Sequence, residues 1–473
     1  MWLLLACLAV TGVGYAPSLD AFWTSDDFAV LHLHQLAGSW IQCIAVPKGA
    51  PFFRPLMSAS LCLDEGLFGR VPLAFRAHSV LLLALSAWGL GWLVAALTNR
   101  FAAGVAAAMF YAVCPLHHEA VSWVAARGHG LGAFFVVLMA VAALVWLRRG
   151  GIGWLAAALA AGACSLLAVE AAAPLVLCIP LAWAFLGEGT RGRRRGLGVA
   201  AVALLAAYAT VRTVVIGGIG GYHAADGTNV HMLVSLGRMV RYTGLVLAHL
   251  LVPGPWCGAH GAWGASATAV ATAANVALLV AVPWRPPALR LAAGVACLLF
   301  LSLCLAVTWA RLDANLAGSR LLHLPLLVAA AGLGACFGGA WSADGWRRWL
   351  ATAAVVVGIA AQLPLLRQVN GWWGEAGGLV QAMLAGIGSE ARARGAHTVM
   401  VHGVPVKHHG AEVAGRGLEG AVILFVDPGL TLHVIPDPAA WQYVLSVHRA
   451  EGAEKEGVLV GEWRADERRW NWR

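Results

Sequence analysis

Eleven stretches of predominantly apolar residues punctuate this chain, at roughly 1–19, 73–97, 101–116, 129–147, 152–169, 171–187, 196–216, 265–283, 291–309, 321–340 and 350–366. A helix needs about 20 such residues to cross the hydrocarbon of a bilayer, where no backbone amide can be left unpaired. The pattern predicts an α-helical polytopic membrane protein with about 11 transmembrane helices. Composition supports the same reading, with 60% hydrophobic and only 12% charged residues. A soluble globule carries about 25% charged residues, so this surface is too poor in polar groups for water. Disorder, collagen and coiled coil are excluded on the same ground. A further apolar stretch, 237–252, is short and carries Arg238, Arg241 and His249. It is expected to lie in or dip into the outer interface rather than to cross.

The few charges are unevenly placed. Residues 367–473 hold 11 Lys/Arg and 12 Asp/Glu, close to soluble usage, whereas residues 1–366 hold 21 and 11. Two domains follow: a transmembrane domain over 1–366, with 20–72 as its first outer loop, and a domain over 367–473. The excess positive charge belongs to the membrane part. It argues for orientation in the bilayer and against nucleic-acid binding. Arg100, Arg148, Arg149, the Arg191–Arg195 cluster, Arg285, Arg290, Arg347 and Arg348 fall in alternate loops. Short basic loops stay cytoplasmic. The loop 20–72, the loops near 117–128, 217–264 and 310–320, and the C-terminal domain are then expected outside. The first apolar stretch lacks a basic flank and reads as an uncleaved anchor.

Eleven acids serve a membrane domain of this size, so each is a candidate for function. Asp26 and Asp27 stand together in FWTSDDFAVL, directly after the first apolar stretch. Adjacent carboxylates in a partly apolar setting repel, which suits a general base or a cation site as well as a plain helix cap. Further polar segments recur at outer corners: PFFRPLMSASLCLDEGLFG with Arg54, FYAVCPLHHEAVSWVAARGHG with His117, His118, Glu119 and Arg127, LLAVEAAAPL with Glu170, and DANLAGSRLLHLPLL with Arg320 and His323. Singly these read as interfacial hydrogen bonds, headgroup contacts or ion pairs. Their concentration on one side of the membrane favours a site. Tyr222, His223, Asp226 and His231 in the 217–231 loop are weaker candidates for an acceptor entrance. Cys43 and Cys62 share the first outer loop, where a disulfide and unpaired thiols are equally open.

In order and spacing over most of residues 1–330, these segments resemble the GT-C superfamily of polytopic glycosyltransferases. They are most similar to the transmembrane-and-tetratricopeptide-repeat O-mannosyltransferases and their bacterial relatives, without the repeats. The resemblance implies that Asp26 and Asp27 carry the catalytic base, and that Arg54, Arg127, Glu170, Arg320 and His323 surround the donor phosphate. It gives His117, His118 and Glu119 a supporting or acceptor-side role. Two departures stand out: Val169 replaces a lysine expected beside Glu170, and Gly128–His129 follow Arg127 where an acid or amide is usual. An inverting transfer from a polyprenyl-phosphate-linked sugar to an acceptor hydroxyl on a protein, lipid or glycan is implied, in a bacterial inner or plasma membrane.

The chemistry agrees with the residue types. Glycosyl transfer passes through an oxocarbenium-like state. A carboxylate takes the acceptor proton, and outward-facing arginines stabilise the departing phosphate. Arginine can partly replace the missing lysine, since its phosphate contact is bidentate. No resident metal is assigned. A divalent ion on His117, His118 and Glu119 is an alternative, weakened because adjacent helical histidines point apart. A polysaccharide ligase or polymerase is a near competitor. A transporter or flippase predicts charges midway through spans, of which this sequence has few (Arg212 is near a span end), and internal repeats, of which none is found. A scaffold would have no need of Asp26 and Asp27.

The C-terminal domain is expected to be a small extracytoplasmic α/β unit. An amphipathic helix is predicted over 375–394, strands over 397–405, 420–428 and 431–436, and strand character in the last 17 residues.

Overall fold

A computed structural model describes the chain except residues 37–38, 47, 49, 219, 222–235, 256–260, 304–311, 344, 415–416, 451–456 and 473. The loop candidates Tyr222, His223, Asp226 and His231 lie outside the described residues, as does the Cys43 side chain.

Each of the eleven apolar stretches is built on a helix. Among the described residues, five helices are long and apolar enough to cross a membrane: Pro72–Thr98, Val124–Arg149, Arg191–Ile216, Gly261–Ala281 and Trp346–Arg394. Phe101–Val113 and Pro115–Ser122 form a sixth if their 53° bend is counted within one span. The remaining stretches form shorter apolar helices at Trp2–Ser18, Ile152–Ala168, Glu170–Phe185, Ala288–Ser302 and Pro325–Trp341. The amphipathic stretch forms a helix at Leu236–Leu251, packed on the Gly261–Ala281 helix, where Asn275 Nδ2 donates to Leu250 O and Leu251 O.

The bend after Val113 has a local cause. Cys114 precedes Pro115, and the proline ring disfavours helical backbone in the residue before it. Cys114 is accordingly extended (φ −64°, ψ 120°), and the chain turns through Pro115–His117 and His118–Ser122 before Trp123 breaks it again. A buried corner results, made of short helical turns. Ser122 Oγ donates to Asn370 Oδ1 at 2.7 Å and lies 2.8 Å from Ser18 Oγ. Asn370 Nδ2 donates to Gly14 O. One polar network thus ties the corner to the first helix and to the Trp346–Arg394 helix.

That last helix runs 49 residues without interruption, about 70 Å at 1.5 Å per residue. This is more than twice a hydrocarbon core of about 30 Å. It carries the chain from its apolar first half into the charged C-terminal part, so the amphipathic 375–394 segment is its distal half. Beyond Gly395 lies a four-stranded sheet. Its strands are β1 (Thr398–His402), β4 (Thr431–Val434), β5 (Val458–Arg464) and β6 (Arg469–Trp472), in the order β4-β1-β5-β6. β1 is parallel to β4 and β5, with Val399 opposite Leu432 and Leu459, and β5 and β6 are antiparallel. A separate two-stranded hairpin joins β2 (Lys407–His408) and β3 (Ala411–Glu412). Trp470 Nε1 donates to Met383 O at 2.9 Å, fastening the sheet to the long helix.

One strand expectation fails. The segment 420–428 is mostly helix, Leu418–Phe425. A short apolar run fits either a buried strand or a buried helix by periodicity. The three-dimensional context decides: Leu418, Ala421 and Val422 are fully buried, and Phe425 packs on Phe22 and Phe28 of the first outer loop.

Candidate active site

The helices bring most of the predicted polar residues around the Pro115–His129 corner. Asp26 and Asp27 receive different environments. Asp26 is exposed. Asp27 is fully buried, and its two oxygens accept from Thr24 N at 3.1 Å and from Ala125 N at 2.8 Å. Burial pushes the Asp27 carboxyl up to about 6, against the opposing pull of the Arg76 guanidinium and the two N–H donors. Arg76 is itself buried and donates to the carbonyls of Ala21, Phe22 and Ser122. The acidic motif is therefore pinned between the first loop and the corner. Ser25, at φ 47°, also donates to Val413 O of the C-terminal part at 2.7 Å.

Arg54 and Glu170 meet as a pair. Arg54 Nε donates to Glu170 Oε2 at 2.8 Å, and Phe53 N donates to Glu170 Oε1 at 2.7 Å. Arg212, from the Arg191–Ile216 helix, approaches the same carboxylate at 3.9 Å. The side chains of Arg54, Glu170 and Arg212 are 22%, 18% and 17% exposed, enough to face a ligand. The site expected to lack its lysine thus has a second cation from another helix. The sequence signal for Arg212 is a lone charge near the end of the apolar stretch 196–216.

Across the corner, Glu119 is fully buried and accepts from Gly318 N, Arg320 N and Arg320 Nη1 at 2.9–3.2 Å. It fixes the 318–320 turn and leaves the Arg320 side chain 22% exposed over the Trp123 ring. His129, which departs from the expected pattern, lies within electrostatic reach of Arg54, Arg320 and His323. His129 was not among the sequence candidates, although the substitution after Arg127 pointed to it.

Other candidates are placed differently. Arg127 is completely buried, ion-paired with Asp64, and donates to Phe75 O, Ser60 O, Ser60 Oγ and Ser79 Oγ. Every face of its guanidinium is engaged inside the protein. His118 accepts from Trp373 Nε1 at 3.0 Å through Nδ1 and reaches Leu316 O through Nε2. The His117 ring meets His323 edge-on and Tyr111 at a tilt, with 4.5 and 4.4 Å between centroids, and all three rings are buried. With both His118 nitrogens and both Glu119 oxygens engaged, His117, His118 and Glu119 do not assemble around one ion.

The helices also enclose an apolar cleft of about 340 Å³. Leu175, five residues past Glu170, and Leu327, four past His323, line it, and it continues past Ile179, Leu298 and Leu93 to Phe185.

Bundled helices followed by a C-terminal sheet give the chain a GT-C-like fold, shared with the solved structures of ArnT and AglB. The likeness extends over nearly the whole chain. ArnT from Cupriavidus metallidurans, solved with undecaprenyl phosphate, is 14% identical with a TM-score of 0.52, covering 98% of this chain and 93% of its own. The apo form of ArnT gives 13% identity and a TM-score of 0.53 at the same coverage. The oligosaccharyltransferase AglB from Archaeoglobus fulgidus, solved with an inhibitory peptide and a dolichol-phosphate, is 12% identical with a TM-score of 0.52. It covers 97% of this chain and 69% of its own. No family model matches the chain, and no curated protein matches it by sequence.

Proposed function

We propose that this protein is a membrane glycosyltransferase that moves a sugar from a polyprenyl-phosphate donor to an acceptor hydroxyl at the outer face of the membrane. The observation that carries the reading is that Arg54 and Arg212 converge on Glu170 while Arg320 pairs with Glu119, each arginine partly exposed beyond its carboxylate, in a helical bundle that also encloses an apolar cleft. Three arginines against two glutamates leave one net positive charge, which matches the single negative charge of a lipid phosphodiester. The polyprenyl chain occupies the cleft, and the ArnT and AglB structures hold polyprenyl phosphates of this type.

Within the acidic motif, Asp26 is the base and Asp27 the positioning residue. Both Asp27 oxygens already accept backbone N–H groups inside the protein, whereas the Asp26 side chain is exposed at the surface. The acceptor oxygen attacks the anomeric carbon from the face opposite the phosphate, and its proton passes to Asp26. The bond from that carbon to the phosphate oxygen breaks, and the electron pair leaves on polyprenyl phosphate, whose charge Arg54, Arg212 and Arg320 stabilise. Arg127 acts through Asp64 and the surrounding carbonyls as a strut for the corner, and His117, His118, Glu119 and His323 hold the 316–323 turn. The charged 367–473 region faces the same side as the acidic motif, to which Val413 is hydrogen-bonded.

The test is release of polyprenyl phosphate from a panel of synthetic short-chain polyprenyl-phosphate hexoses and pentoses by purified full-length protein. Loss of a general base costs about 10²–10⁴-fold in rate, and Asp26→Asn is expected to fall in that range while the variant remains folded. Undiminished turnover in Asp26→Asn removes the base assignment.

A further inference from the structure

Away from the polar corner, the β2–β3 hairpin contains an unusual choice of residues. Its strands pair Lys407 with Glu412 and His408 with Ala411, so His409 and Gly410 form a two-residue turn. His409 sits at φ 51°, a left-handed conformation that glycine adopts most cheaply. The glycine stands one residue later, for a different reason. A Cβ on Gly410 would lie 2.3 Å from Asn315 O and 3.1 Å from the Trp372 ring. Close packing therefore fixes Gly410, while an imidazole is kept at the strained position beside it.

That strained backbone brings His409 beside His408, with 4.4 Å between ring centroids. His408 Nε2 lies 2.6 Å from Glu375 Oε2 of the Trp346–Arg394 helix. Among the described residues, Glu375, His408 and His409 form a group whose donor atoms all lie within 4.8 Å of one another. Glu375 and His409 are exposed and His408 is half-buried, so an ion can enter from solvent. A tetrahedral zinc needs donor atoms about 3.3 Å apart, a closure that side-chain rotation alone supplies at such open positions. Two imidazoles and a carboxylate suit zinc and its transition-metal neighbours, not magnesium or calcium.

We infer that Glu375, His408 and His409 form a zinc-type metal site that clips the β2–β3 hairpin to the long helix, with water completing the coordination. The site is distinct from the polar corner but mechanically linked to it. Asn315 Nδ2 of the 313–318 turn donates to His409 O at about that turn's apex. Val413, directly after β3, accepts from Ser25 N next to the acidic motif. Metal at this site therefore orders the hairpin that bridges the two outer loops.

The experiment uses full-length protein in detergent, stripped with chelator and titrated with zinc alone, by calorimetry and by thermal unfolding. One zinc per chain is expected, with a zinc-induced rise in Tm and no comparable rise with magnesium. His409→Gly removes a ligand while relieving the left-handed strain. Its metal-free Tm should equal or exceed that of the parent, while zinc affinity falls by about ten-fold or more, since even residues outside a metal's ligand set are worth that much. His408→Ala and Glu375→Gln should weaken binding similarly, and His433→Ala, on β4, should leave it unchanged. Absence of stoichiometric binding overturns the assignment, as does a zinc response retained in His409→Gly.

Discussion

Asp27 offers a pH-dependent test of how the acidic motif is held. Burial raises its carboxyl from the ordinary 3.8 to about 6. At about 1.4 kcal/mol per unit, the shift favours the protonated form by about 3 kcal/mol relative to the unfolded chain. The sign follows from proton counting. Between the two values the folded state binds more protons than the unfolded state, so stability falls as pH rises through that window. About 2 kcal/mol of the effect lies between about pH 4.5 and about pH 7. In Asp27→Asn the group no longer titrates, and its amide places N–H against one of the two backbone donors, a cost that does not vary with pH. The difference in stability between parent and variant isolates Asp27 from every other titrating group. The parent should gain on Asp27→Asn as pH falls. For 473 residues, that gain is worth about 2 °C in Tm, measured by thermal unfolding in detergent at both pH values. A difference that stays flat, or that shrinks on acidification, would refute the argument that Asp27 is buried with a raised pKa.

Three further outcomes can be measured. Asp64→Asn leaves the buried Arg127 guanidinium without its carboxylate, and loss of one partner of a buried ion pair costs about 3–5 kcal/mol; a Tm equal to the parent's would show that the pair is not buried as described. Arg212→Gln removes one of two cations from Glu170 and should raise the KM for the lipid donor about ten-fold with a smaller change in kcat; unchanged donor KM would remove Arg212 from the donor site. Gly417→Ala would place a Cβ 1.9 Å from Ser25 O, which no side-chain rotation relieves, so a loss of about 1–3 kcal/mol is expected; an unaffected Tm would mean that the contact at Ser25 is loose.

The apolar stretches were legible because lipid leaves the backbone few choices, and each is built on a helix, although the last, 350–366, is only part of the 49-residue Trp346–Arg394 helix. The 420–428 segment was not, because its apolar run is too short for periodicity to decide, and contact with Phe22 and Phe28 settles it as helix. The sequence named the polar residues at the corner, but adjacency alone could not divide their work. Asp26 and Asp27 are neighbours in sequence, and only the fold turns one into solvent and the other onto Thr24 and Ala125. Arg127 and Arg54 were equivalent as outer arginines until burial separated them. Arg212 was passed over because a charge near the end of an apolar helix has many innocent explanations, and its approach to Glu170 depends on a helix crossing that sequence spacing does not encode.

The missing lysine beside Glu170 shows why residue type is a poor guide to whether a charge site survives. A lysine adjacent in sequence would be held by one short segment. Here Arg54 comes from the first outer loop and Arg212 from the Arg191–Ile216 helix, both converging on one carboxylate. The carboxylate holds Arg54 through Nε and leaves the rest of that guanidinium partly exposed, the geometry suited to a phosphate in front of it. Glu119 does the same for Arg320, gripping its backbone N–H and one end of the side chain. In both cases the glutamate orients an arginine without consuming it. The buried ion pair of Asp64 and Arg127, wholly enclosed, is the opposite arrangement and has only a structural outlet. Exposure of the cation beyond its carboxylate therefore separates the arginines that can meet a lipid phosphate from the one that cannot.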